Sequence, residues 1–468
     1  MTAHGGGGGG AARHEANHGS ESHLNIVIIG GGVIGVSIAY YLTRHQAYSP
    51  SRHHITLLEA TSIGGGASGK AGGLLAQWAY PASLVSLSFD LHAELAAKHD
   101  GAKAWGFRTI RCGKITAGDR DLDKEQRRAS SNGDWLSWAR EMIPWAPLGK
   151  QRELNKDPQG TARVDLPEDL DWFRADGISK YEDIAPRKET AQVQPYLFTS
   201  VMAKLAEKEG VKVLQEAAVE EIESVVEDGA EVVKGVRYIH KPTAQSISMP
   251  ADIVILAAGP WTPALLPSVP IRALRAHSVT IKPNRPLSAY CLFTDITVPS
   301  DEAASPIHTA SVHDPASAAR DYLSEPELQG GSRPFVRVVS PEIYSRPNNE
   351  VYIAGESDER VPLPAGTDEV EIDHAACDLI EQAVASVSDE LRDGVVTRRR
   401  ACYLPTVDVP SGNPLIGNTW IDGLLLASGH SCWGIHNAPA TGKVISELVF
   451  DGKATSADIS ALDPRMVM

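Results

Sequence analysis

The chain opens its ordered pattern with Asn25-Ile-Val-Ile-Ile29, a continuous apolar run that stops at a glycine cluster and resumes as the apolar stretch Val36–Leu42. A second apolar run, Ile55–Leu58, ends at Glu59. Short apolar runs of this length predict strands buried on both faces, the signature of a parallel sheet covered on each side. Val211–Leu214, Ala251–Ala258 and Gly423–Ala427 repeat it. Other stretches alternate instead. Val219–Val226 and Val232–Ile239 predict an antiparallel pair, and Thr109–Thr116, Ile271–Pro283, Pro334–Val339, Glu342–Tyr344 and Glu350–Ala354 predict further strands. Helical spacing appears at Leu84–Lys98, Pro195–Glu209, Asp373–Val387 and Val444–Phe450. The pattern predicts an α/β chain in which a covered parallel sheet is joined to a second, mainly antiparallel one.

Three glycine-rich segments interrupt this pattern. The first is Gly30-x-Gly32-x-x-Gly35, set between a strand and a helix, with Glu59 at the end of the next strand. That is the dinucleotide-binding fingerprint in its required context. Gly30 permits the turn, Gly32 lets backbone approach a pyrophosphate, and Gly35 lets helix pack on strand. The helix start offers N–H groups to an anion, and Glu59 is placed to accept from the adenosine ribose. The second segment, Ile63–Gly73, follows directly and brings backbone close to something flat or bulky. The third, Ser428–Lys443, reads as a loop between a buried strand and the helix Val444–Phe450.

Composition narrows the picture. The 468 residues suffice for two domains, and a net charge of −15 argues against nucleic acid or an anionic membrane as the main partner. No apolar run is long enough to span a bilayer. Five scattered cysteines without metal spacing suggest a reducing compartment, and a cytoplasmic location is expected with no metal site. Residues 1–23, with the run Gly5–Gly10, read as a disordered tail and not as a secretory signal.

Taken in order, these blocks resemble the amine- and amino-acid-oxidising flavoprotein family of D-amino-acid oxidase, glycine oxidase and monomeric sarcosine oxidase. The run Cys432–Lys443 looks most like a fungal branch of that family. The resemblance implies FAD. Gly30, Gly32, Val33, Ile34, Gly35, Glu59 and Ala60 would hold its ADP half. Ser68, Gly69, Lys70, Gly73 and Leu74 would line the ribityl and isoalloxazine side. Val219 would touch the adenine through its backbone. Ala258, Gly259 and Trp261 would flank the pyrophosphate, and Gly429, Gly434 and Ile435 the pyrimidine edge. A Rossmann-like FAD-binding domain would then be assembled from residues 24–110, 190–270 and 395–458. A substrate domain on a mainly antiparallel sheet would come from 111–189 and 271–394.

The implied reaction is oxidation of a C–N bond of a small amine or amino acid to an imine, by hydride transfer to flavin N5, with oxygen as acceptor. His436, Trp433, Gln77 and Tyr352 are the candidate catalytic residues. His436 reads as either a substrate contact or a histidine that holds its loop. The chain departs from its relatives at the carboxylate clamp. Leu404 stands where glycine oxidase has arginine, His436 and Gln77 stand where sarcosine oxidase has lysine and arginine, and Tyr352 replaces the lysine tied to the oxygen reaction. Cys402 lies near the place where sarcosine oxidase links covalently to its flavin, but non-covalent FAD is expected. Two alternatives stay open. One is an NAD(P)-dependent dehydrogenase. The other is a flavin-binding, non-enzymatic component of endosome-to-Golgi trafficking with peripheral endosomal association, which the fungal resemblance implies.

Overall fold

The computed structural model describes residues 23–118, 155–156, 162–300 and 335–468. The expected tail, much of the irregular stretch expected over 119–190, and most of the insertion expected over 296–332 lie outside the described residues.

The apolar runs form a six-stranded sheet in the spatial order Lys212–Leu214, His53–Leu58, Leu24–Ile29, Ile253–Leu256, Leu424–Ser428 and Leu415–Asn418. The first five are parallel and the last is antiparallel. Alternation along the central strand divides its side chains between two cores. Ile26 and Ile28 pack against helices Val33–Leu42 and Gly434–Asp451. Val27 and Ile29 pack against a three-stranded antiparallel sheet of Ala217–Glu227, Ala230–His240 and Gln245–Pro250. Both faces are covered, which explains why these strands read as unbroken apolar runs.

The second sheet has eight strands. Its path runs Val395–Val407, Ile271–Lys282, Glu350–Asp358, Glu342–Arg346, Tyr290–Ser300, Arg111–Gly118 and Ile178–Ala185, with Phe335–Val339 added beside Tyr290–Ser300. All pairings are antiparallel except that of Tyr290–Ser300 with Arg111–Gly118. Alternation again sets two faces. Leu292, Ile343 and Ile353 pack on helix His374–Val387, whereas Cys291, Tyr344 and Tyr352 face back toward Leu74, Trp78 and Trp433 of the nucleotide side.

Two boundaries differ from expectation. Strand Val395–Val407, expected with the nucleotide domain, pairs along its length with Ile271–Lys282 as an edge of the eight-stranded sheet. The C-terminal helix begins at Gly434, not at Val444. Tertiary contacts outweigh helix-poor residues there. Gly442 sits where a Cβ would lie 2.7 Å from the Ser37 carbonyl oxygen, so the bare backbone lets two helices touch. Pro439 has no N–H to give to the carbonyl four residues earlier, Ile435 O. His92 Nε2 donates to that oxygen instead, at 2.9 Å.

Candidate active site

A cavity of about 820 Å³ runs between the two sheets, from the first glycine cluster to the antiparallel strands. Its nucleotide end lies where the neighbours of strand Leu24–Ile29 diverge, on one side to His53–Leu58 and on the other to Ile253–Leu256. Ligands of open α/β sheets bind at this switch point. Gly30 has φ +113, and a Cβ on it would lie 2.4 Å from Ala257 O. A Cβ on Gly35 would lie 2.0 Å from Gly30 O. Only glycine permits either approach. Val33 N donates to Ser68 Oγ at 2.9 Å, which ties the second glycine loop to the first helix.

Glu59 lines the cavity and is nearly buried. Its Oε2 accepts from Gly31 N at 2.8 Å, and its Oε1 from Thr61 N at 2.8 Å and Thr61 Oγ1 at 2.9 Å. Thr61 Oγ1 lies 2.5 Å from Thr367 Oγ1. Thr367 ends a strap, Leu363–Thr367, that closes this end of the cavity from the other sheet's chain. The strap is held by Trp261 Nε1 donating to Pro364 O at 2.7 Å. Just before it, Tyr403 OH lies 2.9 Å from Val361 O and 3.0 Å from Pro362 O. Nothing in the strap's sequence marks it, because it contributes backbone and small side chains.

The other end is framed by the Gly64–Gly73 loop, which three cations pin from outside the cavity or at its wall. Arg346 donates to Gly72 O at 3.0 Å and to Ala71 O, and its guanidinium stacks 4.3 Å over the Tyr352 ring. Arg400 Nη1 donates to Gly69 O at 3.3 Å. Lys70 Nζ crosses to Ala401 O at 3.0 Å, and burial lowers its pKa. A Cβ on Gly72 would lie 2.5 Å from the Tyr344 ring, so the loop seats directly on the antiparallel sheet.

Of the expected cofactor residues, Gly30, Gly32, Val33, Ile34, Glu59, Ala60, Ser68, Lys70, Gly73, Leu74, Val219, Ala258, Gly259, Trp261, Gly429, Gly434 and Ile435 line the cavity. Gly35 and Gly69 do not. They allow close backbone packing beneath it, with a Cβ on Gly69 placed 2.2 Å from Gly64 O.

Of the candidate catalytic residues, Trp433 and Tyr352 line the cavity, and His436 and Gln77 do not. His436 sits in the first turn of a helix and points under the cavity floor. Its Nδ1 accepts from Ala76 N at 3.4 Å, and its ring lies 6.4 Å from that of His92. Burial, with His92 second, brings its pKa down to about 3. The loop-holding reading therefore replaces that of a substrate contact. Gln77 is half-buried, off the lining, with its backbone N bonded to Glu189 O. Leu404 lines the cavity, and so do Cys402, Phe293, Glu342 and Tyr344. The last three went unnoticed in the sequence because strand register alone brings them there.

The family model described as DAO, FAD dependent oxidoreductase, matches residues 25–448. The chain belongs to this family. The Saccharomyces cerevisiae protein named "Putative oxidoreductase TDA3" is 34% identical, over 96% of this chain and 95% of its own length. C1F5.03c of Schizosaccharomyces pombe, described in the same words, is 31% identical over 94% of this chain and 97% of its own. Among solved structures, glycine oxidase from Geobacillus kaustophilus superposes with a TM-score of 0.63 at 17% identity, covering 96% of this chain and 100% of that one. It shares the DAO fold, with its Rossmann-like FAD domain and antiparallel-rich substrate domain.

This DAO-family chain is thus an FAD-dependent oxidoreductase, and the nicotinamide alternative loses its support. Its residues fit the cofactor. The fingerprint glycines leave backbone bare at the switch point, Glu59 faces the cavity, and the helix at Gly434 presents its N-terminus to the far part. Among the described residues, no group of three or more His, Cys, Asp or Glu is placed to hold a metal ion. No described helix is long and apolar enough to cross a membrane.

Proposed function

We propose that this DAO-family protein oxidises the C–N bond of a small amine to an imine, with oxygen as the final electron acceptor. One observation carries the reading: the cavity that holds the dinucleotide fingerprint continues into an aromatic chamber of Phe293, Tyr344, Tyr352 and Trp433, and no arginine is among the described residues that line it. FAD, when bound, accepts two electrons as a hydride from the carbon beside the nitrogen. The protein's part is to orient that carbon and to exclude water. Trp433 and Tyr352 would wall the reacting centre, both being buried. The neutral helix start at Trp433–Ile435 favours negative charge that develops beside it. With leucine at position 404 and no arginine among the described lining residues, a substrate carboxylate finds no bidentate partner there, so amines lacking one are the better fit.

FAD is held without a covalent bond in this reading. Cys402 lines the cavity, but burial pushes its thiol up to about 11, against the opposing pull of Lys70 and Arg400. A thiol so protonated at neutral pH is a poor nucleophile. Acid precipitation decides the point. Yellow colour in the supernatant supports the reading, and colour that stays in the pellet but vanishes in Cys402→Ser overturns it.

The function is tested by anaerobic mixing of the FAD-loaded protein with a panel of amines and amino acids, followed by air. Bleaching by an amine and return of colour in air are expected. A flavin that no member of the panel bleaches would end the proposal.

A further inference from the structure

His430 lines the cavity between Gly429 and the start of helix Gly434–Asp451, and the C–N oxidation reading gives it no task. Its side chain is buried, and one nitrogen is accounted for: Nε2 lies 3.0 Å from Thr441 Oγ1 in that helix. This partner decides the tautomer. Thr441 is fully buried, and among the described residues its hydroxyl meets only Nε2. If Nε2 carried the ring proton, the Thr441 O–H would be a buried donor without an acceptor, which is costly. With Thr441 donating to Nε2 both groups are satisfied, and the ring proton sits on Nδ1. Nδ1 has no protein partner among the described residues, yet it is not sealed in the interior as are Nδ1 of His92 and Nε2 of His436. Ser428 lines the same wall, but its hydroxyl is directed to Gly259 O at 3.1 Å. A Cβ on Gly434 would lie 3.6 Å from His430 Cβ, so the imidazole and the helix start share one stretch of wall.

We propose that His430 tunes the flavin: its Nδ1–H donates to the edge of the bound flavin that gains negative charge on reduction, and Thr441 fixes the tautomer that allows it. The inference needs only FAD in the cavity and stands apart from the C–N oxidation reading. The helix start beside His430 favours the same charge. A donor already in place strengthens as charge develops on its acceptor, without reorganisation. Burial brings the pKa of this imidazole down to about 3, so the bond is given by a neutral ring throughout the physiological range. An imidazolium would also draw electrons into the flavin, but its pull would fade as pH rises through its pKa, whereas that of a neutral donor does not.

The test uses the FAD-loaded protein with no amine present. The flavin is reduced with dithionite against a dye of known potential, and the midpoint is read at several pH values. In His430→Gln the amide falls near the place of Nε2, so the Thr441 contact is kept and the donor at Nδ1 is lost. In His430→Asn the amide falls near the place of Nδ1 and still donates. His430→Gln should make reduction about tenfold less favourable, the equivalent of one hydrogen bond to a charged group, which lowers the two-electron midpoint by about 30 mV. His430→Asn should recover most of that difference. The loss in His430→Gln should be the same from about pH 6 to pH 8, as a neutral donor requires. Thr441→Val is the smaller change and serves if His430→Gln does not load FAD. With the hydroxyl gone the ring proton is free to return to Nε2, and the midpoint should fall part of the way. FAD content and the melting transition report whether each variant folds. A wild-type midpoint in FAD-loaded His430→Gln or Thr441→Val would overturn the inference. So would equal losses in the Gln and Asn variants, or a loss that grows as pH falls. None of these outcomes touches the C–N oxidation reading, which is judged by amines alone.

Discussion

The two ends of the cavity are built by different means. At the nucleotide end, short contiguous motifs do the work: a strand, three spaced glycines, a helix start and one acid, all within Leu24–Glu59. At the substrate end, the lining comes from Phe293, Glu342, Tyr344, Tyr352 and Cys402, residues of four strands brought together by pairing. A motif fixes its geometry through backbone that nothing but glycine fits. A register fixes its geometry through the face each residue takes, and a shift of one position would turn every side chain over. The first kind of site is shared widely across a fold. The second can change its chemistry by single substitutions.

The largest expected effect breaks the nucleotide end at its tightest point. Gly35→Ala would put a Cβ 2.0 Å from Gly30 O, a clash with backbone that side-chain motion cannot relieve. The variant should lose about 3 kcal/mol or more of stability and fail to retain FAD, as overpacking of a rigid site implies. Urea unfolding and the flavin-to-protein absorbance ratio measure both. A yellow, stable Gly35→Ala protein would mean that the helix can back away from the strand.

Next in size is the support around the start of the C-terminal helix. His92, His430 and His436 are fully buried, and burial lowers their pKa values to about 4, 3 and 3. Each folded value lies below the ordinary one near 6.5, so the unfolded chain binds more protons across the interval. Stability is therefore full above about pH 6.5 and is lost as pH falls toward the folded values. Between pH 7 and pH 5 each histidine should remove about 2 kcal/mol by linkage. Denaturant midpoints measured over that range should fall steeply, and His92→Gln should flatten the slope. An unchanged midpoint from pH 7 to pH 5 would contradict the burial of neutral imidazoles.

Glu59 comes third, and its role is double. It accepts from Gly31 and Thr61 within the protein while facing the cavity where the ribose is expected. Glu59→Gln replaces one acceptor with a donor directed at existing donors. It should weaken FAD binding and lower the stability of the FAD-free protein, each by about 1.5–3 kcal/mol, the range for hydrogen bonds to charged groups. Loss of FAD affinity with unchanged stability of the FAD-free form would assign the carboxylate to the cofactor alone.

Sequence alone revealed the two ends unequally, for the same reason. Gly30, Gly32, Gly35 and Glu59 were legible because their spacing is local and their chemistry strict. So were the strands, since two-sided burial leaves an unbroken apolar run. The start of the C-terminal helix was not legible, because Gly434, Pro439 and Gly442 argue locally for a loop. They are tolerated only through His92 and the bare contact with Ser37, both far away in sequence. The two readings of His436 could not be separated for the same reason. Its helical placement turns the ring to Ala76 N and away from the cavity. Glu342 and Tyr344 carry no motif at all, and pairing with the strand of Phe293 and Cys291 is what faces them inward.

The strap at Leu363–Thr367 crosses the division between the two ends and gives the smallest and sharpest test. Its chain follows strand Glu350–Asp358 of the eight-stranded sheet, yet it closes the nucleotide end. Two kinds of contact hold it there. Trp261 Nε1 donates to Pro364 O, and Thr367 meets Thr61, which in turn reaches Glu59. Trp261→Phe keeps most of the ring and deletes the indole donor, leaving Pro364 O to water. The loss should be about 1 kcal/mol, a typical net hydrogen bond, and should appear as release of FAD roughly fivefold faster with little change in the protein's unfolding. Dilution of the loaded variant into an excess of an apoprotein that binds FAD, followed by fluorescence, reads that rate. If release is unchanged while a Thr367→Val variant speeds it, the hydroxyl contact to Thr61 is the latch and the tryptophan is only packing. If neither substitution alters the rate, the strap does not retain the cofactor, and the nucleotide end is closed by its own motifs alone.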